Sequence, residues 1–95
     1  ILYRLRARTG FNDSVLNANI ARTLTALGEH DDAVREARLA YRIDPANLMT
    51  TYAYGRAVLL QGDDAKRARD LLRKASKLAP DDKDIARDYR AAQKL

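Results

Sequence analysis

The sequence contains no cysteine and no tryptophan, a single histidine, and no tract of glycine or serine. The absence of cysteine excludes disulfides, thiolate metal sites and a cysteine nucleophile, but it leaves the compartment open between cytoplasm and periplasm. Nothing resembles a glycine-rich phosphate loop, and with one histidine the inventory for acid–base or nucleophilic catalysis is thin. Ser14 and Ser76 have no partner suggested by spacing. His30 adjoins Asp31, but neighbours in a turn need not face one another, and its ring is expected to pack in the turn. The expectation is a protein that is not an enzyme and uses no cofactor or metal. No apolar run is long enough to cross a bilayer, and no signal-peptide layout opens the chain. It starts Ile1-Leu2-Tyr3-Arg4-Leu5 without an initiator methionine, which reads as a fragment of a longer protein.

What is present is a chain of 95 residues, 46% of them hydrophobic, carrying 18 Lys and Arg against 13 Asp and Glu for a net charge of +5. That length fits one domain or part of an array. A core of this size is modest for an isolated globule, and stacking on neighbouring repeats would help it. The usage, rich in Ala, Arg and Asp, hints at a bacterial source.

An internal repeat organises the chain. The segment Ala33-Val34-Arg35-Glu36-Ala37-Arg38-Leu39-Ala40 aligns with Ala68-Arg69-Asp70-Leu71-Leu72-Arg73-Lys74-Ala75, and the match runs on to Pro45 and Pro80, an offset of 35 positions. Upstream, Gly28 matches Gly62 at an offset of 34, so one extra residue lies between Gly62 and Ala68. A period of about 34 residues with two short helices per unit marks a helical solenoid.

Apolar spacing places the helices. The first carries Leu16, Ile20, Leu24 and Leu27 after a cap at Asn12 or Asp13, and Gly28 ends it. The second runs from about Asp31 to Ile43, burying Ala33, Val34, Ala37, Ala40 and Tyr41, and stops before Pro45. Asn47 caps a third helix with Thr51, Tyr54, Gly55 and Val58 inward, ended by Gly62. Ala68, Leu71, Leu72, Ala75 and Leu78 define the fourth before Pro80, and a last helix from about Asp82 to Leu95 presents Ile85, Tyr89 and Ala92.

These residues resemble the tetratricopeptide repeat family, whose pattern wants small side chains where helices cross and a proline after the second helix of each unit. Ala21 and Gly55, Ala33 and Ala68, and Ala40 and Ala75 are the small positions, and Pro45 and Pro80 close the units. The chain departs from the pattern at Asn17 and Thr51, where an aromatic is usual, at His30, where tyrosine is common, and at Ala37, where a large aromatic often packs. The resemblance implies an all-α, antiparallel helix-hairpin solenoid in one domain over residues 1–95. Within it, 1–10 is the end of a truncated preceding helix, 12–46 and 47–81 are two full repeats, and 82–95 is a C-terminal capping helix. Arg90, at a position that should be small, argues against a further repeat beyond it.

The acidic pairs Asp31-Asp32, Asp63-Asp64 and Asp81-Asp82 fall at helix starts, where they suit the dipole and free N–H groups. They lack the convergent oxygens of a calcium cage. Arg35, Arg38 and Arg42, then Lys66, Arg69, Arg73 and Lys77, form basic stripes expected on the outer face, with Asp70 and Lys74 paired at i, i+4. With no interleaved aromatics and no recognisable module, nucleic acid is not the expected partner.

In the resembled family the concave groove is lined by exposed positions of the first helix of each unit. That implies Val15, Ala18, Asn19, Arg22 and Thr25, then Met49, Tyr52, Ala53, Arg56 and Leu59, then Asp84, Arg87, Asp88 and Ala91. Arg22 and Arg56, at equivalent positions, are expected to stand one above the other beside Tyr52 and to take a carboxylate or phosphate. The competing expectation is that both arginines pair with Asp84 or Asp88 inside the groove. The family's clamp for chaperone C-termini is not expected, because Ala18 and Tyr52 stand where its lysines would be. The implied function is a scaffold binding a protein or peptide with acidic and apolar side chains. The alternatives are a spacer or self-assembly element of a larger envelope or secretion protein, whose N-terminal helix pairs with another copy or with missing repeats, and an anionic-polymer binder using the basic outer face.

Overall fold

The computed structural model describes residues 13–95, and it is all-helical there, with no strand among the described residues. The helices are α1 (Asp13–Ala26), α2 (His30–Ile43), α3 (Leu48–Gln61), α4 (Ala65–Leu78) and α5 (Lys83–Gln93). Each packs on the next in chain order, and α1 reaches α3 and α3 reaches α5 across the hairpins. The expected tail at residues 1–10 and the cap at Asn12 lie outside the described residues.

The two α-hairpins are closed by the same backbone devices. Gly28 and Gly62 take φ of 80° and 83°, the left-handed region that glycine enters without a Cβ penalty. At the other end of each unit, Asp44 and Ala79 precede the prolines with φ, ψ of −141°, 80° and −139°, 73°, and each donates its N–H to the carbonyl four residues back, Ala40 or Ala75. Proline excludes the α region from the residue before it. The same sequence signal therefore gives the same exit geometry twice.

Helix starts are fixed by side chains. Asn47 Oδ1 accepts from the N–H groups of Met49 at 2.7 Å and Thr50 at 3.3 Å. Asp64 caps α4 through the Arg67 N–H, and Asp82 caps α5 through Asp84 and Ile85. Asp31 and Asp32 lie in the first turn of α2 instead, whose cap residue Glu29 makes no side-chain hydrogen bond. Asp31 accepts from Gln61 Nε2 at 2.9 Å. The ring of His30 opens α2 half-buried, with Nδ1 lacking a hydrogen-bond partner among the described residues.

The core is built on small residues. Ala21, Ala33, Ala40, Ala68 and Ala75 are fully buried, which lets helix backbones approach closely. At Gly55 an added Cβ would stand 3.0 Å from Leu72 Cδ2 and 3.2 Å from Leu71 Cβ. Thr51 is also fully buried, and its neighbour Thr50 donates its hydroxyl to Asp44 O at 2.6 Å. Buried hydroxyls at this point tie the start of α3 to the preceding loop, as burial of a polar group requires.

Three expectations need correction. Leu27 is 70% exposed and Leu78 47% exposed: α1 ends at Ala26, and Leu78 closes the last turn of α4 where no helix covers it. Tyr41 is half-buried, its ring stacked at a tilt 5.6 Å from that of Tyr54. Lys74 does not pair with Asp70. It crosses to the first hairpin, its long side chain donating to Tyr41 Oη at 2.8 Å and Pro45 O at 2.6 Å.

Candidate binding groove

Helices α1, α3 and α5 line one groove, of about 780 Å³. From α1 come Asn19, Arg22, Thr23, Thr25 and Ala26, with Leu27 just beyond it. Tyr52, Ala53, Arg56 and Leu60 come from α3, and Asp84 and Arg87 from α5. The spacing of three and four residues explains why each set shares a face. Hydroxyl protons on α1 are already committed, Thr25 Oγ1 donating to Ala21 O at 2.8 Å and Thr23 Oγ1 to Asn19 O at 3.1 Å. The threonines therefore offer the groove methyl groups and acceptor oxygens rather than donors.

The electrostatics centre on Asp88. Its side chain is 7% exposed, yet three donors reach it from the groove. Tyr52 Oη donates to Oδ2 at 2.5 Å, Arg56 Nη1 donates to the same oxygen at 2.9 Å, and Arg87 Nε stands 3.6 Å from Oδ1. A buried carboxylate needs such compensation. Arg87 also holds Asp84, Nη1 to Oδ1 at 3.5 Å. The Tyr52 phenol is pushed up to about 12, first by burial, then by its hydrogen bond to Asp88 and the negative charge of that carboxylate. Tyr52 thus stays a neutral donor.

Arg22 differs from the other two arginines. It is exposed, and among the described residues it has no ion-pair partner. Three arginines and one carboxylate line the groove, and Asp88 lies beneath Tyr52 and Arg56. Two of the arginines are matched by the two acids, so Arg22 carries the uncompensated positive charge.

Of the residues expected in the groove, Asn19, Arg22, Thr25, Tyr52, Ala53, Arg56, Asp84 and Arg87 are brought together. Asp88 is beside them but buried. Ala18 is fully buried against Ala40 and Ala53, because α3 closes over α1 at that point. Leu59 turns to the core, Val15 is half-buried, and Met49 is exposed at the start of α3, away from the lining. Arg22 and Arg56 line the same groove, but Arg56 is engaged by Asp88. Thr23, Ala26, Leu27 and Leu60 line the groove as well, outside the expected set. A signal existed: Ala26 and Leu60 are equivalent positions, 34 apart, one turn beyond the arginines.

On the other side, a second hollow of about 430 Å³ is lined by Tyr41, Lys66, Arg67, Asp70 and Lys74 among others. Its cations are largely spoken for. Arg67 pairs with Asp64 at 3.3 Å, and Lys74 lies over the Tyr41 ring at 4.8 Å. Among the described residues no group of three or more His, Asp or Glu stands close enough to hold a metal, and no helix is long and apolar enough to cross a membrane. No family model matches the chain, and no curated protein matches it in sequence.

Proposed function

We propose that this chain is a non-catalytic interaction module of the tetratricopeptide kind. It binds an extended acidic peptide segment in the groove between α1, α3 and α5. The observation that carries the reading is the unmatched charge of Arg22, placed in a groove where the other arginines are already paired. A guanidinium with free donors suits a carboxylate, and Ala26, Leu27 and Leu60 supply apolar contact at one end of the same groove.

The test is fluorescence anisotropy with labelled nine-residue peptides in which glutamate is placed beside leucine, against the same peptides carrying glutamine. Arg22→Glu should abolish the preference for glutamate while leaving the helical circular-dichroism signal intact. Equal binding of the glutamate and glutamine peptides by the unmodified chain would remove the reading.

A further inference from the structure

Asp88 answers groove donors with a carboxylate from within the chain. It is a carboxylate supplied by α5 to two donors on α3, Tyr52 Oη and Arg56 Nη1, both groove residues. The contact is asymmetric in burial: the Asp88 side chain is 7% exposed and that of Arg56 is 38% exposed. Arg56 therefore presents part of its side chain to the groove while its charge is answered from below. Arg22, the equivalent residue one repeat earlier, has no such carboxylate among the described residues.

We infer that Asp88 sets the anion specificity of the groove: by holding Tyr52 and Arg56 it leaves Arg22 as the one working anion contact, so the groove takes ligands with a single carboxylate and gains little from a second. This rests on the groove reading above. Neutralising Asp88 converts the site into a two-arginine site that favours a pair of adjacent carboxylates. Asparagine is the suitable replacement. Its Oδ1 still accepts from Tyr52 or Arg56, while the negative charge that offsets Arg56 is gone. The Arg56 side chain is partly exposed, so its freed guanidinium can reach water rather than being stranded in the core. The high value of the Tyr52 phenol fits the same picture, because the ring hydroxyl keeps its proton and goes on donating.

The experiment titrates the 15N-labelled chain with three capped nine-residue peptides of alanine and leucine that carry no glutamate, one glutamate or two adjacent glutamates. The Arg22 and Arg56 Nε–H resonances and the affinities are followed. In the unmodified chain the one-glutamate peptide should move the Arg22 resonance and leave that of Arg56 in place, and the second glutamate should change affinity less than about threefold. In Asp88→Asn the second glutamate should gain about tenfold, the usual scale of one charge-assisted contact, with Arg56 now shifting. Should the Asn variant fail to fold, the two resonances in the unmodified chain still decide. Equal shifts of Arg22 and Arg56 overturn the inference. Preserved one-glutamate binding with no gain in Asp88→Asn overturns it too, and leaves the groove reading standing. No binding of any glutamate peptide by either protein overturns both.

Discussion

Tyr52 Oη donates to Asp88 Oδ2 across 36 positions of the chain, and Arg56, one turn further along α3, donates to the same oxygen. The two contacts tie α5 to α3 at a point where the apolar packing of α5 is otherwise directed at α4. They also fill part of the groove with intramolecular hydrogen bonds. Stability and recognition thus meet on one carboxylate.

The unequal burial of this pair gives a stability prediction. Arg56→Met leaves the buried Asp88 carboxylate with Tyr52 and the longer contact to Arg87, and is expected to cost about 2 kcal/mol, below the usual cost of breaking a buried pair because Arg56 is partly exposed. Asp88→Asn keeps an acceptor for one of the two donors and releases the partly exposed Arg56 to water, and is expected to cost about 1 kcal/mol. Urea denaturation at neutral pH measures both. Equal losses would mean that the acid is not the member of the pair that needs its partner.

Tyr52 gives a pH dependence with a definite sign. Its value is raised from 10.0 to about 12 in the folded chain, so the folded state holds the phenol proton more tightly than the unfolded one does. The contribution is whole below pH 10 and is lost as the pH rises through 12, because the unfolded chain deprotonates first. Denaturation midpoints measured across that window should fall more steeply for the unmodified chain than for Tyr52→Phe. Parallel curves would show that Tyr52 is not responsible.

Gly55 tests how closely the helices approach. Alanine in a helix interior is worth about 1 kcal/mol over glycine, but here the new Cβ would stand 3.0 Å from the fully buried Leu72. Overpacking of this kind costs about 1–3 kcal/mol. Gly55→Ala is therefore expected to lower stability by about 1 kcal/mol, seen as a lower thermal midpoint. A rise in the midpoint would show that Leu72 can give way.

The architecture was largely legible from local signals. Asn47, Gly62, Asp82 and the residues before Pro45 and Pro80 act through their own backbone or the next turn, so reading them needed no knowledge of distant partners. The small residues Ala21, Ala33 and Ala68 were placed by periodicity and repeat alignment, and all are fully buried. Leu27 and Leu78 misled the same method, because an apolar residue at the end of a helix satisfies the spacing whether or not another helix covers it. Ala18 was misplaced for the opposite reason. Its repeat equivalent Tyr52 opens on the groove, whereas α3 closes over Ala18.

By itself, then, the sequence determined the five helices among the described residues, most of their ends and the repeat that relates them, since capping, the left-handed glycines and the constraint before proline are local effects. Tertiary structure alone decided which of the equivalent arginines carries free charge. Arg22 and Arg56 occupy the same position in successive repeats, and nothing within either repeat distinguishes them. What separates them is Asp88, brought from α5 beneath Arg56, because Coulomb energy depends on distance in space and the chain sets that distance only once it is folded.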